Sequence, residues 1–148
     1  MSSRPALNTA LPEAYKSVIT LNEQCEKAAA DAGVSPLAVE LVRIRASQIN
    51  GCAFCLRMHV RDALAKGEST DRIAVIPAWR ETAYFTDEER AALAIAEEIT
   101  DISNPPRASD AELLTALSTQ QVAALRWLAV TINAFNRIAI SSHYKVGP

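Results

Sequence analysis

The segment from Ser118 to His143 constrains this chain more than any other. It opens with the capping pair Ser118 and Gln121 and continues as VAALRWLAVTINAFNRIAISSH. Val122, Leu125, Trp127, Leu128, Val130, Ile132, Phe135, Ile138 and Ile140 cover most of its helical circumference. A helix apolar all round must be covered on more than one side. In 148 residues that leaves a central core helix or a subunit interface.

The rest of the chain reads as helices too. Ala14, Val18, Leu21, Cys25 and Ala28 recur at steps of three and four after Pro12, and Gly33 is a natural stop. Ser35 and Pro36 supply an N-cap and a first-turn proline for a helix running to the Asn50-Gly51 break. A third helix opens near Cys52 and ends at Gly67, and a short one runs from Ser69 or Thr70 to about Ile76, where Pro77 stops it. Thr86 with Glu89, and Ser109 with Glu112, have the capping-box spacing, and Asn104-Pro105-Pro106 breaks the chain between them. No run alternates with period two. Only four glycines are present, with seven prolines, so the expectation is an all-α single domain over residues 1–148, a bundle of about seven helices.

The charge balance excludes some classes. Fifteen basic and 17 acidic residues give a net charge of −2, without the basic excess of a nucleic-acid binder. No apolar stretch approaches the ~18 residues of a membrane span. The N-terminal segment lacks the apolar core of a signal peptide. Three cysteines are too few, and odd in number, for a secreted disulfide scaffold, so a cytoplasmic protein is expected.

The chemistry concentrates in Cys52-Ala53-Phe54-Cys55-Leu56-Arg57-Met58-His59. Cys55 and His59 are one helical turn apart on one face, with Cys52 a turn earlier on the same side. The Asn50-Gly51 break puts both cysteines near a helix N-terminus, where free N–H groups and the dipole favour a thiolate. A neighbouring histidine in such a setting can lower a cysteine pKa from ~8.5 to roughly 3.5–7.5. A redox dithiol, a zinc site and two incidental buried cysteines all fit the spacing. A structural zinc site would need a fourth ligand, and no second CxxC is present. A c-type haem site is excluded because Leu56, not histidine, follows Cys55. Glu40 lies twelve residues before Cys52. In an antiparallel helix pair it could meet His59; otherwise it is a solvated carboxylate, since glutamate is rarely buried unpaired.

Glu40, eleven residues, Cys52-x-x-Cys55, three residues, His59: this pattern resembles the alkylhydroperoxidase D (AhpD) family of the carboxymuconolactone decarboxylase-like superfamily. INGCAFCLRMHVRDALAKGE, AWRETAYFTDEERAALAIAEEIT and NAFNRIAI are similar to the same branch, and the resemblance covers about residues 10–145. It implies an all-helical fold that assembles into trimers or hexamers. It implies a thiol peroxidase that reduces hydroperoxides, with Cys55 passing through a sulfenic acid, Cys52 resolving it as a disulfide, and Glu40 and His59 as a proton relay. It implies no metal or organic cofactor, and an unidentified thiol or lipoyl-type reductant. The best-known members carry a second histidine where Phe54 stands, so this relay lacks one member.

Two alternatives remain: a carboxymuconolactone decarboxylase, whose chemistry does not need the cysteine pair, and a non-catalytic oligomer that binds metal or senses redox state through Cys52, Cys55 and His59. Elsewhere, Cys25 reads as a buried structural thiol and His143 as a helix-end residue. Trp79 and Tyr84 are expected over the third helix, rimming the thiol pocket. Arg43 and Arg45 are expected as surface or interface partners of acidic residues. Ile49-Asn50 and Ile132-Asn133 form a faint internal echo, best explained as chance similarity of two apolar helices.

Overall fold

The computed structural model describes residues 4–104 and 107–148. Eight α-helices and two 3-10 segments make an all-α bundle, with no strand among the described residues. The helices are α1 (Leu7–Ala10), α2 (Pro12–Asp31), α3 (Pro36–Asn50), α4 (Ala53–Ala65), α5 (Thr70–Val75), α6 (Asp87–Thr100), α7 (Asp110–Leu113) and α8 (Thr119–Ser141).

Local chemistry sets most boundaries. Ser35 Oγ accepts from Leu37 N–H and Pro36 sits in the first turn of α3. Thr86 with Glu89, and Ser118 with Gln121, close complete capping boxes on α6 and α8. The expected box at Ser109 does not form. Ser109 already has helical torsions (φ −64°, ψ −22°) and makes no side-chain cap, whereas the capping geometry needs extended backbone. The short helix ends at Val75, within a residue of the expected stop, and Pro77 lies just beyond it. It falls in the first turn of a 3-10 segment, Ile76–Glu81, where a missing N–H is tolerated. Of the expected break at residues 104–106, Pro105 and Pro106 lie outside the described residues.

The centre of the bundle is α3, not α8. It packs against α4, α6 and α8, and nine of its residues are buried, Glu40 and Arg43 among them. Its charges are tolerated there because they pair, as shown below. One core cluster joins α2, α3, α6 and α8 through residues such as Cys25, Val42, Ile95, Leu125 and Leu128. A second joins α3, α4, the first 3-10 segment and α6 around Leu41, Ile44, Ala63, Trp79 and Leu93. Only one side of α8 enters the core. Trp127 and Val130 remain 54% and 44% exposed, an apolar outer stripe that the described residues leave uncovered.

On one flank of α3, Glu97 accepts hydrogen bonds from Arg45 Nε (2.9 Å) and Trp79 Nε1 (3.0 Å). It also pairs with Arg80 (2.7 Å), which in turn reaches Asp110. Arg45 therefore has the acidic partner expected of it. This cluster ties α3, the 3-10 segment, α6 and α7 together.

Candidate active site

The site begins where α3 ends. Gly51 adopts the left-handed conformation (φ 70°, ψ 35°) that glycine reaches without a Cβ clash. Gly51 N–H returns to Gln48 O and Cys52 N–H to Ser47 O, the two bonds of a Schellman stop. An amide network pins this turn to α8. Asn50 Nδ2 donates to Asn133 Oδ1 (2.8 Å) and Asn136 Oδ1 (2.9 Å), and Asn136 Nδ2 donates to Ser47 Oγ (3.0 Å). The two echoed sequence segments thus meet in one network, which the sequence reading missed.

The turn delivers Cys52 to the N-cap of α4, where its Sγ accepts from Cys55 N–H at 3.3 Å. Cys52 and Cys55 are joined as a disulfide with Cα atoms 5.3 Å apart. Both are buried, at 1% and 2% exposure, but only Cys55 lines the adjoining cavity. Ala139, Phe54 and Tyr144 pack around the pair.

One turn along α4, His59 shares that cavity wall. Its Nδ1 lies 3.1 Å from Glu40 Oε2. A carboxylate can only accept, so Nδ1 carries the proton and Nε2 is left as the basic nitrogen. Glu40 is itself 1% exposed. Its Oε1 accepts from Lys66 Nζ (2.7 Å) and Arg43 NH1 (3.1 Å). Burial alone would push this carboxyl up; the hydrogen bonds from His59 and Lys66 and the Arg43 charge outweigh it and hold the pKa at about 2. The four predicted residues therefore form two touching pairs, Cys52 with Cys55 and Glu40 with His59, and Cys55 and His59 share one cavity.

That cavity has a volume of about 360 Å³. Ile19, Phe54, Met58, Ile132, Phe135 and Ile138 give it apolar walls, Tyr15 and Tyr144 add phenol rings, and Asn22, Glu26, Arg43 and Asp62 stand on its polar side. Two expectations fail here. Trp79 packs with Ala63 of α4, as expected of the third helix, but it is fully buried in the second core cluster, Tyr84 is exposed, and neither rims the cavity. Arg43 is not a surface residue: NH1 holds Glu40, and NH2 holds Asn22 (3.0 Å) and Glu26 (2.5 Å). Arg43 was legible from its i,i+3 spacing to Glu40, and Lys66 from its place two turns beyond His59 on the same helix face.

Other expectations stand. Cys25 is a buried free thiol, 3.6 Å from Thr131 Oγ1, and His143 follows the end of α8. Glu40, His59 and Asp62 bring oxygen and nitrogen atoms within 4.8 Å of one another. Glu40 already binds two cationic side chains there.

The sequence profile of the carboxymuconolactone decarboxylase family matches residues 12–98, from α2 into α6. This chain belongs to that family. The match contains Glu40, Cys52, Cys55 and His59. Among family relatives, the YdfG protein of Bacillus subtilis, whose role is uncharacterized, is 35% identical over 95% of each chain. The uncharacterized YnjA protein of Escherichia coli is 32% identical over 53% of this chain and 42% of its own. A solved structure from Agrobacterium tumefaciens superimposes with a TM-score of 0.84 at 32% identity, covering 99% of both chains. It is described as a protein of unknown function and a candidate antioxidant defence protein AhpD. The chain is thus an AhpD-like member of the family.

Proposed function

We propose that the protein is a thiol peroxidase that reduces hydroperoxides through Cys55 and Cys52. The observation that carries this reading is Cys55 on the cavity wall, bonded to Cys52 and one helical turn from a histidine held by a buried carboxylate. In the reduced protein, His59 Nε2 takes the Cys55 thiol proton. The thiolate attacks the terminal peroxide oxygen; an S–O bond forms, the O–O bond breaks, and the alcohol leaves with the proton from His59. Cys52 then displaces water from the sulfenic acid and closes the disulfide. A thiol or lipoyl-type reductant returns two electrons.

Glu40 acts as an orienting anion in this cycle. With its pKa at about 2 it stays ionised near neutral pH, so it fixes the His59 tautomer and stabilises the imidazolium without accepting the proton. Decarboxylation of a carboxymuconolactone, the reaction the family is named for, calls for a seat for the substrate carboxylate. Arg43, the cation lining this cavity, is already committed to Glu40, Asn22 and Glu26.

The same reading includes self-association. Leu21, Ala28, Ala123 and Trp127 line an open apolar groove between α2 and α8, beside exposed Val130. A second copy covering this stripe, in a trimer or hexamer, gives α8 the two-sided burial its sequence calls for. Sedimentation should show an assembly larger than 16.0 kDa that Trp127→Asp weakens; a stable wild-type monomer contradicts this. The peroxidase reading is tested by mixing reduced protein with an organic hydroperoxide in single turnover and mapping the products by mass spectrometry. Loss of hydroperoxide with formation of the Cys52–Cys55 disulfide is expected. Unchanged thiols with stoichiometric bound zinc would instead favour the metal-binding alternative.

A further inference from the structure

Leu11, Ala14, Tyr15, Val18 and Ile19 lie three and four residues apart along α2 and its cap, so they share one face. None of them belongs to a core cluster, and Leu11 remains 66% exposed. This is not the face of Leu21 and Ala28, which line the groove assigned to a second copy. An apolar face left open beside a reactive cavity marks a place for a ligand.

The face is turned towards the C-terminal end of α8. Tyr15 meets Phe135 edge to face, with ring centroids 6.3 Å apart at 82°. Leu7 of α1 is fixed beside them, because its N–H donates to Ser142 Oγ at the end of α8 (2.9 Å). Here lies a crevice of about 150 Å³, walled by Leu7, Leu11, Ala14, Tyr15, Val18 and Ile138, none of them charged. Tyr15 and Ile138 also line the cavity of Cys55. Ile19, the neighbour of Val18, and Phe135, one turn before Ile138, stand on the cavity side of that boundary. The two hollows are therefore successive stretches of one groove along the α2–α8 pair. Its α2 wall is apolar as far as Ile19 and turns polar at Asn22 and Glu26. The cation on the polar side, Arg43, is already committed to Glu40, Asn22 and Glu26. A ligand with its reacting end at Cys55 thus has an uncharged, apolar path along which to extend, past Tyr15 and Ile138 towards Leu11.

We infer that the crevice between α1, α2 and α8 is a subsite for the alkyl tail of the substrate, and that this protein takes long-chain hydroperoxides in preference to small ones. This rests on the thiol-peroxidase reading. The hydroperoxide group lies at Cys55 and the tail on Leu11, Ala14 and Val18. Burying the tail helps equally before and during O–O cleavage. It therefore raises kcat/KM with chain length and leaves the rate at saturation unchanged.

The test is single-turnover reduction of 1-butyl, 1-hexyl and 1-octyl hydroperoxide by the reduced full-length protein. The second-order rate constant should rise by roughly two- to fourfold per added methylene, the upper value being that of a fully buried CH2. Two variants separate the crevice from the cavity. Ala14→Trp fills it. Leu11→Ser removes an exposed wall and puts serine, a favoured N-cap, at the cap of α2, so folding is not at stake. In both, the octyl-to-butyl ratio should fall by about threefold or more, the worth of one methylene or two. A flat wild-type series, or a ratio that both variants leave unchanged, overturns the inference while the peroxidase reading stands. So does a smaller assembly on sedimentation of Ala14→Trp, which would give the crevice to a second copy. A wild-type protein that consumes none of the three hydroperoxides refutes the peroxidase reading itself, and the inference falls with it.

Discussion

Glu40 and Glu97 make a natural comparison. Both are carboxylates held by two cationic side chains each, Arg43 and Lys66 for Glu40, Arg45 and Arg80 for Glu97. Both have pKa values lowered by their donors against the upward pull of burial. They differ in the remaining donor. Glu97 takes an indole N–H from Trp79, which carries no exchangeable charge near neutral pH, and its cluster faces a polar cleft without a cysteine. Glu40 takes an imidazole N–H from His59, which lines the same cavity as Cys55. A buried charge cluster is therefore architecture by default. An imidazole and a cysteine on a shared cavity are what single this one out as a candidate site.

The sharpest way to break this comparison is at sulfur. Cys55→Ser should abolish hydroperoxide consumption, while Cys52→Ser should allow one round and leave a trappable sulfenic acid on Cys55. A sulfenic acid trapped on Cys52 in the single variants would reverse the assignment.

The carboxylates come next. Glu40→Gln should slow the first oxidation by roughly 10²-fold, within the range for general acid–base groups. Glu97→Gln should leave that rate within about twofold but lower unfolding stability by about 3 kcal/mol, as when one member of a buried ion cluster is removed. Both variants should lose stability of this order in urea, so stopped-flow rates separate them; an equal loss of rate in both would erase the distinction.

A third effect lies in acid. The folded Glu40 pKa of about 2 is below its ordinary 4.5, so in that interval the unfolded chain takes up a proton that the folded one refuses. Stability from this group is full above pH 4.5 and is lost as pH falls towards 2, by at most about 3 kcal/mol. Urea midpoints measured across pH should show this slope, and Glu40→Gln should flatten it. Lys66→Met should move the loss to higher pH by removing one of the donors that hold the carboxylate ionised. Lys66 is 41% exposed, so its influence should be the smallest of these.

The helical frame was largely legible because its signals are local. Ser35, Gly51, Thr86 and Ser118 act within a few residues of themselves, and each marks a real boundary. Ser109 shows the limit: the same residue types at the same spacing form no cap when the preceding backbone is already helical. The cysteine pair, His59 and Glu40 were legible for a related reason, since three lie within one helix turn or two and the fourth on the adjoining helix. The cavity was not. Its walls come from α2, α3, α4, α8 and the tail, and no spacing rule joins Phe54 to Tyr144, ninety residues away. Trp79 misled because a tryptophan near a break looks the same in sequence whether it closes a core or rims a pocket.

The unequal access to the two sulfurs also gives the disulfide a direction. Cys55 is on the cavity wall and Cys52 lies behind it at the start of α4. In the proposed cycle, a reductant thiol entering through the cavity would meet the Cys55 sulfur first, so the mixed disulfide would form there with Cys52 as the leaving group. The charge it departs with falls at a helix N-terminus, beside the Cys55 N–H, where the backbone favours an anion. In the proposed cycle, Cys55 is thus the sulfur attacked in reduction as well as the one that attacks in oxidation, and Cys52 is sheltered from outside reagents in both halves.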